Sequence, residues 1–120
     1  MFLLPLSYVI LFLILRVTAH KPVIQKLNSR TVLSQNVSFP LNCAIVSGTE
    51  PLRFQWLKDD IPILPSSKII IQYFDSFSTL TLIKASTTDS GDYSCRVNNS
   101  DGSDSTVTSL IVQGLSFFIF

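Results

Sequence analysis

Asp89-Ser90-Gly91-Asp92-Tyr93-Ser94-Cys95 decides the fold. Cys95 has one other cysteine to pair with, Cys43, and the only tryptophan, Trp56, stands between them. A Cys, then a Trp, then Tyr-x-Cys is the trace of a β-sandwich whose sheets are pinned by one disulfide, with the Trp covering it. Tyr93 stands two residues before Cys95, where its hydroxyl can reach back to backbone near Asp89 and hold the corner that enters the strand. Gly91 suits a tight corner in which a Cβ would cost energy.

Working outward, the chain reads as short strands punctuated by turns, the pattern of an all-β sandwich or barrel. Residues 36–44 alternate, with Val37, Phe39, Leu41 and Cys43 on one face, which predicts a half-buried strand. Pro40 lies within it and cannot donate to a ladder, so a missing hydrogen bond or a bulge is expected there. Residues 53–57 form the next strand, with Phe54 and Trp56 inward, and Lys58-Asp59-Asp60 its turn. Residues 78–83 alternate again, with Leu80 and Leu82 inward, and 91–98 carry Tyr93, Cys95 and Val97 on the core face. Residues 99–102 end in Asp-Gly, a strong hairpin signal, and 103–113 form the last strand with Leu110 and Val112 inward. Pro22 to Leu27 reads as an edge strand, because proline at its start suits an edge; Thr31-Val32-Leu33 reads as a second half of it. Residues 61–67, with Pro62 and Pro65, are an irregular edge, 68–73 a short strand, and 84–90 a crossing loop without a helix of useful length.

The two ends have a different composition. Met1 to Leu15 carries no charged side chain. As a helix it would span roughly 22 Å, short of the roughly 30 Å hydrocarbon core. With Val17-Thr18-Ala19 at the cleavage positions, residues 1–19 read as a secretory signal peptide cut before His20; the alternative is an uncleaved signal anchor. Either places the chain on the secretory route, where a disulfide forms and persists. Residues 20–114 form the sandwich domain. Residues 115–120, Leu-Ser-Phe-Phe-Ile-Phe, are a hydrophobic tail read as the end of a truncated chain, or as a sticky tail on a short secreted form.

Charge and residue types narrow the chemistry. Of nine basic residues one, Arg16, falls in the leader, which leaves eight against eight acidic ones. A neutral mature chain has no electrostatic footprint for nucleic acid, and no basic helix for a membrane surface is present. Cys43 and Cys95 could be a metal pair or a thiol couple, but zinc needs four ligands and no Cys-x-x-Cys is near; a structural disulfide is the stronger reading. Closing a loop of this length is worth roughly 4 kcal/mol in the chain-entropy account. His20 is the only histidine and stands at the expected mature N-terminus. No base is held against a nucleophile, so no catalytic, cofactor or metal residue is assigned. Asn36-Val37-Ser38 and Asn98-Asn99-Ser100 match the N-glycosylation acceptor pattern, Asn36 at a strand start and Asn98 beside a turn.

At Cys43, Trp56 and the stretch ending in Cys95 the chain resembles the immunoglobulin superfamily, and its short Cys-to-Cys spacing resembles the intermediate, I-set, type. Gly48-Thr49-Glu50-Pro51-Leu52-Arg53-Phe54-Gln55-Trp56-Leu57-Lys58-Asp59 and Phe77-Ser78-Thr79-Leu80-Thr81-Leu82 are similar to domains of the Down syndrome cell adhesion molecule family, arthropod members above all. The chain departs from related domains at Asp60, where they often have glycine. The resemblance implies an immunoglobulin-like two-sheet Greek-key sandwich. It also implies that Asp89 pairs with a base at the start of the strand containing Ile69, which makes Lys68 the candidate. In function it implies an extracellular recognition module for cell adhesion, often homophilic, as one domain of a multi-domain protein. The partner is then a protein surface, self included, with no small-molecule substrate and no transmembrane helix in the mature chain. The alternative is a soluble immune-type receptor or decoy binding a non-self ligand. The exposed strands show scattered polar residues and no cluster of aromatic anchors.

Overall fold

A computed structural model describes residues 19–114. The leader read as residues 1–19, all but Ala19, and the tail, residues 115–120, lie outside the described residues. Nine strands form two sheets: β1 Val23–Ile24, β2 Arg30–Ser34, β3 Phe39–Ser47, β4 Arg53–Lys58, β5 Ile61–Pro62, β6 Ile69–Tyr73, β7 Phe77–Leu82, β8 Gly91–Asn99 and β9 Gly102–Gln113. The four-stranded sheet runs β1-β3-β7-β6 and the five-stranded sheet β2-β9-β8-β4-β5. Their inward faces meet in one core. Leu41 and Cys43 come from β3, Leu80 and Leu82 from β7, Trp56 from β4, Tyr93, Cys95 and Val97 from β8, and Leu110 and Val112 from β9. Every one obeys the two-residue alternation, because successive side chains of a strand point to opposite faces.

Two cross-links tie the sheets at one level. The first is the Cys43–Cys95 disulfide, with Cα atoms 6.3 Å apart, from β3 to β8. The second is a hydrogen bond of 2.9 Å from the Trp56 indole N–H on β4 to the Ser78 hydroxyl on β7. Trp56 is the register partner of Cys95, and Ser78 that of Cys43. The four residues therefore make two adjacent rungs through the core. The Ser78 hydroxyl in turn donates to the Gln72 carbonyl at 2.8 Å, so no polar atom of this pair is left unpaired.

Several local readings change. The strand holding Cys43 begins at Phe39, not at residue 36. Asn36 has φ of 70° and lies in an exposed turn, and Val37 is exposed rather than inward. Neither the missing bond nor the bulge expected at Pro40 occurs in its ladder with β7. That register is unbroken from Phe39↔Leu82 to Ala44↔Phe77. The reason is parity. Ile45 donates toward the β7 side and Ala44 accepts from Gln25 on the β1 side. Pro40, an even number of residues from Ala44, turns its nitrogen toward the β1 side, beyond the end of that two-residue strand.

The first edge strand is also divided. β1 pairs antiparallel with β3, whereas β2 crosses to the other sheet and pairs parallel with β9, from Arg30↔Ser109 to Ser34↔Gln113. Side chains of β9 catch the crossing chain. Asp104 accepts from the Ile24 N–H at 2.8 Å and from the Lys26 ammonium at 3.1 Å, and the Thr106 hydroxyl accepts from the Leu27 N–H at 2.8 Å. The crossing loop after β7 contains one 3-10 turn, Thr87–Asp89.

Ser78→Ala is expected to leave the buried Trp56 N–H without an acceptor and to destabilise the domain by about 1–3 kcal/mol. Urea titration at fixed slope measures this; an unchanged midpoint would show that the second rung contributes nothing.

Candidate interaction surfaces

The Asp89 carboxylate is held by three donors. Its Oδ2 accepts from the Ser86 N–H at 2.7 Å and the Ser86 hydroxyl at 3.0 Å. The same oxygen lies 2.9 Å from the Lys68 ammonium, while Lys68 also donates to the Lys84 carbonyl at 2.8 Å. The Asp89 backbone carbonyl accepts from the Tyr93 hydroxyl at 2.6 Å. One residue thus receives the side chain of β8 through its backbone and a base from the opposite sheet through its side chain. Burial pushes the Asp89 carboxyl upward, but the Ser86 and Lys68 donors outweigh it and hold it below the usual carboxylate range. Burial, with the Asp89 and Asp59 charges, pushes the Tyr93 phenol up to about 12. A phenol held protonated and a carboxylate held ionised, each already saturated with partners, make a structural joint rather than an acid–base pair.

The turn after β4 packs against the start of β8. Asp59 and Asp60 both adopt the left-handed region, φ 49° and 66°, which aspartate tolerates better than most residues. The Asp59 carboxylate accepts from the Asp92 N–H at 2.9 Å. A Cβ on Gly91 would lie 2.9 Å from Asp59 Oδ2 and from Lys58 Cε, so these side-chain ends would have to shift to admit one. His20 is exposed. Its N–H donates to the Thr49 hydroxyl, and its carbonyl accepts from the Asn99 side chain at 2.7 Å. Among the described residues no group of His, Cys, Asp and Glu could hold a metal ion, and no helix is long and apolar enough to cross a membrane.

The two sheets present different outer faces. On the five-stranded sheet β8 turns Asp92, Ser94, Arg96 and Asn98 outward, and an open groove beside them is lined also by Asp59 and Asp60. On the four-stranded sheet the register builds three rows. Ile70, Thr81 and Pro40 lie side by side; then Gln72, Thr79 and Asn42; then Phe77 and Ala44. No outward residue of these rows is charged. The Phe74 ring stacks on Phe77 with centroids 4.3 Å apart and planes at 14°, and both are partly exposed. The expectation of no aromatic cluster is thereby corrected. Phe74 follows β6 and Phe77 opens β7, and only the tight turn between them brings the rings together. The acceptor residues Asn36 and Asn98 are both exposed, Asn36 in the turn after β2 and Asn98 next to last in β8, close to the turn that follows.

The model of the immunoglobulin I-set domain matches residues 22–112. The chain belongs to this family. Among curated relatives, the human hepatic and glial cell adhesion molecule is 37% identical over 71 residues, 59% of this chain and 16% of that protein. Among solved structures, the I-band fragment I67-I69 from titin superposes with a TM-score of 0.73 at 33% identity, covering 78% of this chain and 33% of that one. The Dscam1 Ig7 domain, isoform 5, superposes with a TM-score of 0.71 over 78% of this chain and 97% of that one; at 20% identity this is a likeness of fold. The chain spans 16% or less of the length of the first curated relatives it matches. In this I-set frame the Cys43–Cys95 bridge, Trp56 and the Tyr93–Asp89 corner occupy the joints between sheets and loop. Ser78 escaped the sequence reading, although it stands at an inward position of an alternating strand; a small polar residue in a hydrophobic row was the available signal.

Acid titration tests the Asp89 joint. A carboxylate whose folded pKa is depressed contributes stability that is present above its unfolded value of about 3.9 and is lost as pH falls through the folded value. Asp104 is likewise held low, chiefly by the Ile24 N–H. Asp89→Asn is therefore expected to lower stability at neutral pH and to flatten, without abolishing, the decline below about pH 5. Parallel declines for both proteins in denaturant titrations across that range would contradict this.

Proposed function

We propose that this I-set domain is an extracellular recognition module of the adhesion type, made on the secretory route, whose partner is another protein surface, self included. The observation that carries the reading is the buried Cys43–Cys95 bridge at the centre of both sheets. Such a bond persists in oxidising compartments and is rare where glutathione keeps thiols reduced. The uncharged leader-like run at the N-terminus supports it, as does a relative whose name is that of a cell adhesion molecule. The ionisable groups at the corner are consumed in structure, which leaves the sheet faces as the surfaces on which recognition can act.

A single domain of this size can offer at most about 800 Å² to a partner, one standard interface, and rigid-body entropy must be overcome first. Self-association is therefore expected at micromolar affinity or weaker, rising steeply when several copies are tethered, because each contact raises the effective concentration of the next. Sedimentation of the secreted protein over a concentration series, beside aggregation of beads coated with it, measures both. A stable nanomolar dimer would refute the weak-module reading. Tight binding to an unrelated ligand by a strictly monomeric protein would favour a soluble receptor or decoy.

We further propose that Asn98 carries a glycan, since it points outward from β8 in a matching triplet. Glycosidase treatment of protein from a eukaryotic host is expected to lower the mass, and Asn98→Gln to remove the shift in part or whole, the remainder belonging to Asn36. An unshifted wild-type mass would exclude both sites.

A further inference from the structure

We infer that the free edge of β6 binds an extended segment of a partner protein as an added strand, uncharged along its middle and basic where it passes the turn between β6 and β7. The inference rests on the recognition reading above and names the class of partner. β6 is the outer strand of its sheet. Its hydrogen-bonding parity is set at both ends. The Ile83 N–H donates to the Lys68 carbonyl at 2.8 Å, and the Phe74 N–H to the Phe77 carbonyl at 2.9 Å. Opposed residues of an antiparallel ladder alternate between bonded and non-bonded pairs. Lys68, Ile70, Gln72 and Phe74 therefore direct their backbone groups to β7, and Ile69, Ile71 and Tyr73 turn theirs away from the sheet. Ser66 takes those of Ile69: its N–H donates to the Ile69 carbonyl at 2.9 Å, and its hydroxyl accepts from the Ile69 N–H at 3.2 Å. The backbone N–H and C=O groups of Ile71 and Tyr73 have no partner among the described residues.

Natural sheets blunt such edges with short strands, proline or charge. β1 and β5 are two residues long, β1 follows Pro22 and β5 contains Pro62, and β2 opens with Arg30. β6 is Ile-Ile-Ile-Gln-Tyr, with no charge, no proline and an unbroken register against β7. Two donor–acceptor pairs two residues apart, roughly 6.7 Å along the strand, match the backbone of one extended chain. Main-chain bonds then give affinity, and side chains at alternate positions give specificity. Tyr73 is 58% exposed on this stretch, and Leu64, 82% exposed, lies in the segment whose Ser66 binds Ile69, so apolar residues of the partner have apolar surface to meet. Charge selects the end of the segment. Asp75 follows β6 directly and shares an open groove with Glu50 and Phe74. Both carboxylates are exposed, and neither enters an ion pair or a hydrogen bond among the described residues. A lysine or arginine of the partner is their complement.

Amide hydrogen exchange, read residue by residue on the secreted protein, tests this with an acetylated and amidated peptide, Lys-Thr-Val-Thr-Val-Thr-Lys. In the free protein the Ile71 and Tyr73 amides are expected to exchange at least about tenfold faster than those of Ile70 and Gln72, which the ladder protects. Near saturation the peptide is expected to slow Ile71 and Tyr73 by about tenfold. A copy methylated on every backbone nitrogen is expected to leave them unchanged, and a copy with both lysines replaced by glutamate to bind more weakly. Tyr73→Pro, at an exposed position whose N–H makes no ladder bond, is expected to keep the disulfide and the thermal midpoint and to lose the peptide. The wild-type measurements decide the matter whether or not that variant folds. Ile71 and Tyr73 amides unmoved by the peptide, or slowed equally by its methylated copy, would overturn the edge site while leaving recognition through the faces standing. Equal binding of the lysine and glutamate peptides would overturn the basic end. Slowing that grows with protein concentration in the absence of peptide would give the edge to a second copy of this chain instead. Retention of the chain inside cells with Cys43 and Cys95 reduced would overturn the recognition reading itself.

Discussion

The pair of rungs through the core, Cys43–Cys95 and Trp56–Ser78, is the constraint on which the rest of the structure depends. Each rung joins a strand of one sheet to a strand of the other, and their ends are register partners. Sliding either sheet by one residue would bring outward residues into the core and carry inward ones into solvent, since the side-chain period is two. The covalent rung limits the separation of β3 and β8. The polar rung limits that of β4 and β7, and the demand that a buried indole N–H find an acceptor makes it directional. With both rungs in place the alternation of each strand has one consistent solution, and the outer faces follow as its complement.

A second set of polar links joins the connecting segments to this frame. Asp89 gathers Ser86, Lys68 and Tyr93, so that the loop between β7 and β8, the start of β6 and the strand carrying Cys95 are held to one residue. Asp104 and Thr106 do the same for the segment that passes from one sheet to the other near the N-terminus. Asn99 binds the backbone of His20 and Thr49 and, through its oxygen, the turn that follows it. Each group that would cost energy if buried unpaired serves as a connector. The ionisable side chains at these joints, Asp89 and Asp104, are engaged in holding segments of the fold together.

The faces differ because the sheets differ in what their outward positions must do. The five-stranded sheet meets the left-handed Asp59-Asp60 turn and carries charges beside it. The four-stranded sheet presents uncharged rows ending in an aromatic stack.

By itself the sequence determined the fold class, the bridge, the inward residues of β4, β7, β8 and β9, and the tyrosine corner. These rest on short-range periodicity and on residues, Cys, Trp and Tyr, whose spacing is meaningful along the chain. The turn at Asn36, the harmless position of Pro40, the passage of β2 into the other sheet, the Ser78 acceptor and the Phe74–Phe77 stack were decided only by tertiary structure. Each depends on what lies across a gap between strands. Pro40 is tolerated because β1 stops short of it, Ser78 matters because Trp56 arrives from the facing sheet, and β2 joins β9 because Asp104 and Thr106 hold the chain that leads there. Such neighbours are far apart in the chain and become partners only when the sheets close on one another.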